Sequence, residues 1–140
     1  SELYPTGPRV PSEASELSYQ KALQLVFQGG DPVLARRLLV ESSDAGHTRA
    51  RTDLGLMYLK GMGGLVPDRA LACQLLQQSA IEGHVRAMQV LSTELERGES
   101  AGQNRAAINF WRQQAAEATR ALAVSASTLE GSSSSAKPAH

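Results

Sequence analysis

Ser18 and Lys21 stand in an S-x-x-K arrangement, a spacing that sets a hydroxyl and an amine on one turn of a helix. In penicillin-recognising enzymes the serine of such a motif is the nucleophile, and S-D-N and K-T-G segments complete the site. Neither segment occurs here, so a solvated serine and lysine on a helix face is the simpler reading. His47 and His84 each follow a glycine and lie 37 residues apart. Histidines one helical repeat apart would sit about 10 Å from each other. That is too far to share a zinc ion with bonds of about 2 Å, so helix-end residues bonding local backbone are expected. Gly61-x-Gly63-Gly64 is followed by no G-K-[ST] and preceded by no strand, which makes it a helix-to-helix turn and not a phosphate loop. Cys73 is the only cysteine, so an intrachain disulfide and a cysteine-cluster zinc site are both excluded. It is expected as a small buried side chain. Glu94 and Glu96 fall on different helix faces, and H-E-x-x-H and G-x-S-x-G are absent. The sequence therefore nominates no catalytic residue, no metal ligand and no cofactor. Trp111, the only tryptophan, is expected in the core.

These residues need elements to hold them, and composition says which kind. Hydrophobic residues make up 41% of the 140 and aromatics only 4%, so the core is built from alanine and leucine, which suits close-packed helices better than sheets. Fourteen basic residues balance fourteen acidic ones, which argues against broad nucleic-acid or anionic-membrane binding. No apolar run approaches the roughly 18 residues of a membrane span.

Residues 1–14 hold Pro5, Pro8 and Pro11 and read as an extended proline-rich arm. Residues 15–128 read as one helical domain, and residues 129–140 as a disordered serine-rich tail. Within the domain, Ser12 or Ser15 caps a first helix with Leu17, Ala22, Leu23, Val26 and Phe27 as its apolar stripe. Asp31-Pro32 starts a second with Leu34, Ala35, Leu38 and Leu39 inward. A third spans about Thr48 to Lys60. A fourth, capped by Asp68, buries Ala72, Leu75, Leu76, Ala80 and Ile81. A fifth spans about Val85 to Arg97. A sixth, capped by Asn104, carries Ile108, Trp111, Ala115, Ala116 and Leu122 and ends near Ser127.

Self-alignment shows a repeat. Gly46-His47 recurs as Gly83-His84, and Ala50, Leu54 and Tyr58 recur as Ala87, Leu91 and Leu95, all at an offset of 37. Asp31, Ala35 and Leu38 precede Asp68, Ala72 and Leu75 by the same 37. Leu23 and Phe27 align with Leu54 and Tyr58 at 31, which implies a first unit shorter by six loop residues. The expected fold is all-α: an α/α superhelix of about three helix-turn-helix repeats and six helices. Through Ala50, Leu54, Gly55, Met57, Tyr58, Gly61, Gly63, Asp68, Ala72, Ala80, Gly83 and His84 the central unit resembles the Sel-one-like repeat family, a relative of the tetratricopeptide repeat. Gly64 is inserted relative to that pattern, Leu75-Leu76 replaces an aromatic pair, and the outer units are degenerate.

The resemblance implies a non-enzymatic scaffold whose first helices line a concave docking surface. It points to Lys21, Gln28, Arg49, Thr52, Leu56, Lys60, Arg86, Gln89, Thr93 and Arg97 as partner-binding positions. Because cations dominate this set, the expected partner is a protein or peptide with acidic groups, with no nucleic acid and no membrane span. A bacterial envelope or regulatory complex is the expected setting, in the periplasm, with the cytoplasm as the alternative. Alternative functions are a self-associating structural unit, for instance a homodimer, or a penicillin-binding hydrolase using Ser18 and Lys21.

Overall fold

Helix-capping chemistry divides the chain where the sequence places its breaks. A computed structural model describes residues 10–135, with side chains described as far as Leu129. The helices are α1 (Glu13–Phe27), α2 (Pro32–Asp44), α3 (Thr48–Lys60), α4 (Arg69–Ile81), α5 (Val85–Arg97) and α6 (Arg105–Ser135). No strand occurs among the described residues. Ser12, Asp31 and Asp68 cap α1, α2 and α4 by accepting from the backbone N–H of Ser15, Val33 and Leu71. The ends of α2 and α4 are built alike. His47 N–H donates to Ser42 and His84 N–H to Ser79, both at 3.1 Å, around Gly46 and Gly83 at φ +91° and +95°. Only glycine adopts that left-handed turn without strain, which is why Gly-His recurs.

Each helix packs on the one before and the one after it, so three hairpins stack into an all-α superhelix. Alanines sit at the closest approaches: Ala22, Ala50, Ala72 and Ala87 are fully buried. Gly55 belongs with them, since a Cβ there would meet the Ala72 carbonyl at 3.3 Å. The core forms two clusters. One joins Tyr19, Ala22, Leu39, Ala50 and Met57 across the first and second hairpins. The other joins Leu76, Ala80, Ala87, Met88, Leu91 and Ala115 across the second and third, with Cys73 and Trp111 half-buried beside it. The hairpins therefore share their cores with their neighbours, as expected of a stack in which each unit packs on the next.

Several expectations are corrected. The first unit registers on the second at 33, not 31. Ser42 Oγ donates to the Ser15 carbonyl at 2.7 Å and Ser79 Oγ to the Thr48 carbonyl at 3.2 Å. These are the same bond in successive hairpins, and 48 − 15 gives 33 while 79 − 42 gives 37. The first loop is thus shorter by 37 − 33, or four residues. In this register Leu17 corresponds to Ala50, which packs on a preceding hairpin. The first unit has none, so Leu17 is 56% exposed. Val26, Phe27 and Leu34 are exposed too, as are Ile81 and Leu122. Finally, α6 continues through Ser135, past the boundary expected at residue 128. Residues 1–9 and 136–140, which held most of the expected arm and part of the expected tail, lie outside the described residues.

A candidate recognition face

The joint between hairpins is lined with polar side chains that hold one another. His47, almost fully buried, is the N-cap of α3: its Nδ1 accepts from the Ala50 N–H at 3.1 Å. A ring nitrogen that accepts carries no proton, so the proton of the neutral ring sits on Nε2 and is donated to Glu16 Oε1 at 2.8 Å. The ring also lies against Tyr19, centroid to centroid 4.4 Å. His84, one repeat on, makes no such cap. Its Nδ1 lies 2.7 Å from Thr52 Oγ1, whose single proton also has the Thr48 carbonyl at 3.2 Å. Burial lowers the His84 pKa, Asp53 partly opposes that, and Arg49 and Arg86 reinforce it.

Asp53 sits between these groups, accepting from the Tyr19 hydroxyl at 3.0 Å. Burial raises its pKa, while the Tyr19 bond and the charges of Arg86, His84 and Arg49 hold the rise back. Tyr19 is pushed up to about 12, by burial first and then by the Asp53 carboxylate. Arg51 forms a largely buried ion pair with Glu82 and donates to the Ser43 carbonyl at 2.9 Å, tying the second hairpin to the first.

The expected partner-binding residues separate into groups. Thr52 is a correction: it is fully buried, with its hydroxyl spent on His84 and Thr48, so it offers nothing to a partner. Lys21 on α1 and Gln28 at its C-cap are exposed. Leu56 and Lys60 line a cavity of about 380 Å³ formed by α1, α2 and α3. Arg49 edges a recess of about 360 Å³ with Glu16, His47, Glu82 and His84. Arg86 is exposed and adds to the field at Asp53. Gln89 and Thr93 border a shallow recess with Arg112 and Arg120 of α6, and Arg97 pairs with Glu94 at 3.5 Å. Ser18 is half-buried and Lys21 exposed on the same turn of α1.

The face thus carries groups that sequence reasoning missed: Glu16, Tyr19, Arg51, Asp53 and Glu82. Asp53 had one legible signal, a lone carboxylate four residues after Arg49 on a helix otherwise free of acids. Glu16 and Tyr19 had none, because their partners lie 31 and 34 residues away. No protein-family model matches the chain, and neither does any curated protein or solved structure.

Proposed function

We propose that this chain is a non-enzymatic adaptor of the Sel-one-like kind, which docks an acidic protein or peptide across the face formed by α1, α3 and α5. The observation that carries the reading is how its cations are used. Arg36, Arg51, Arg69, Arg97, Arg105 and Arg112 are each held by a carboxylate or carbonyl of the chain. Lys21, Arg49, Lys60 and Arg86, all on first helices, are exposed and make no ion pair among the described residues. Arg37 and Arg120 are the only other described cations left in that state. Asp53 meets part of the field of Arg49 and Arg86 from within, and the outward remainder suits carboxylates. A bacterial envelope complex is the setting we assign to this adaptor; among the described residues, no helix is long and apolar enough to cross a membrane. Affinity capture with the parent chain and with Arg49→Glu/Arg86→Glu tests the reading. Loss of the captured partner from a variant with an unchanged circular dichroism spectrum supports it, and equal capture overturns it.

A second reading, self-association, draws on α6. Residues 121–129 are all exposed and carry no charge, with Leu122, Val124 and Leu129 among alanine, serine and one threonine. Leu122 and Leu129 extend the heptad spacing of buried Ile108 and of Trp111 and Ala115, which pack with α5 residues. A second copy of this helix meets that stripe without charge repulsion. Sedimentation of the parent chain against Leu122→Glu/Leu129→Glu separates a dimer from a monomer.

A further inference from the structure

A cavity lies between the first two hairpins, edged by the connections that follow α1 and α3. The connection from α1 to α2 is four residues shorter than its counterpart after α3, the difference between offsets of 37 and 33. In the second unit the longer connection folds back over the body. Leu65 packs against the first core cluster, and Gly63 accepts from Arg36 Nη1 at 3.2 Å. In the first unit Gly29 and Gly30 edge the cavity with no side chain to fill it. The opening stays uncovered above Leu23, Ala35, Leu39, Leu56 and Met57, and Val26 and Met62 at its edge are 55% and 49% exposed.

The two charged groups of the lining lie on the same side of α3, seven residues apart, which is about 10 Å along a helix. Asp53 is already engaged by the Tyr19 hydroxyl. Lys60 is exposed and makes no ion pair among the described residues. The cavity therefore has an apolar floor, a carboxylate that repels acids at one end and a cation that receives them at the other. About 380 Å³ is at the small end of ligand sites, room for one or two side chains and not for a helix. Alternate residues of an extended peptide face the same side and lie about 6.6 Å apart, so the residue two beyond a buried side chain comes within reach of the Lys60 stem.

We propose that this cavity receives one large aliphatic or aromatic side chain of an extended peptide, and that Lys60 binds a carboxylate carried two residues further on. The inference rests on the adaptor reading and specifies what part of the partner enters first. Its test uses fluorescein-labelled Gly-Leu-Gly-Glu-Gly, Gly-Leu-Gly-Gln-Gly and Gly-Ala-Gly-Glu-Gly peptides, titrated into the full chain by anisotropy and by amide chemical shifts. The leucine-glutamate peptide binds, with shifts centred on Leu23, Leu56, Met57 and Met62. Replacing its leucine by alanine weakens binding roughly tenfold or more. Replacing its glutamate by glutamine weakens it about threefold, an exposed ion pair, and Lys60→Gln removes that threefold. Arg49→Glu/Arg86→Glu, which tests the broader reading, leaves these peptides bound within about twofold, so the two proposals fail separately. No binding at millimolar peptide, equal binding of all three peptides, or a preference for glutamate that survives Lys60→Gln would overturn the inference.

Discussion

His47 and His84 occupy equivalent places in the sequence repeat, yet their replacement by alanine should differ by about 2 kcal/mol. His47→Ala removes a side-chain cap on α3, worth about 1 kcal/mol. It removes the ring contact with Tyr19, worth about 1 kcal/mol. It also removes the bond to Glu16, a partly exposed carboxylate, worth about 1 kcal/mol more. The total is near 3 kcal/mol, or about 10 °C in Tm for a chain of this length. His84→Ala removes one bond, to Thr52, and no cap, for about 1 kcal/mol. His47→Asn restores a cap acceptor without the other two contacts and should fall about 1 kcal/mol short of the full loss. Urea unfolding followed by helical circular dichroism measures all three. Equal losses for the two alanine variants would refute the reasoning, because they would mean that the repeat position, and not its local partners, sets the contribution.

The remaining predictions concern titration and backbone. Because burial keeps the folded pKa of His84 below its ordinary value of 6.5, the unfolded chain takes up a proton first. Stability present above pH 6.5 is then lost as pH falls toward the folded value. His84→Gln should flatten this slope in urea midpoints between pH 7.5 and 5, most clearly in an Asp53→Asn background, since the raised Asp53 pKa acts in the opposite sense; an unchanged slope would assign it elsewhere. Tyr19 titrates at about 12 in the fold against 10 ordinarily, so stability held below pH 10 declines between those values. Tyr19→Phe removes the decline, and phenolate absorbance showing an ordinary tyrosine pKa at this position would contradict it. Gly63 and Gly64 have φ of +65° and +79°, so alanine at either costs about 1 kcal/mol of left-handed strain. At Gly63 the added Cβ also meets Met57 Cε at 2.5 Å and the Pro32 carbonyl at 3.2 Å, whereas at Gly64 nothing lies closer than 3.8 Å. Gly63→Ala should therefore lower the thermal midpoint visibly more, and equal shifts would count against the packing of that loop.

The helices were legible because each is punctuated locally. Asp31-Pro32, Gly46-His47 and Asp68 act on their own backbone within a few residues, and α2 to α5 begin within a residue of the expected places. The offset of 37 was legible because α2 to α5 are each 13 residues long and the connections 45–47 and 82–84 match in length. The first unit's register was not, because apolar spacing alone fits both 31 and 33, and only the Ser42 and Ser79 bonds choose between them. Exposure of Leu17 followed from the same blind spot: periodicity marks a face as apolar without saying whether a neighbour exists to cover it. Of the candidate site, Leu56 and Lys60 were found together because the resemblance placed them on one face. Thr52 was misplaced because a hydroxyl reads as a surface group until its buried partners are known. Asp53 and Tyr19 met only through folding, across 34 residues.

The central claim is that partners dock on the layer of first helices. The most direct measurement places a photo-crosslinking benzoylphenylalanine at Gln89 on α5 or at Gln77 on α4, both exposed positions, and identifies what each captures after illumination with the affinity-purified partner. The account predicts a cross-link from Gln89 and none from Gln77. A cross-link from Gln77 alone would contradict it and move the docking surface to the second helices.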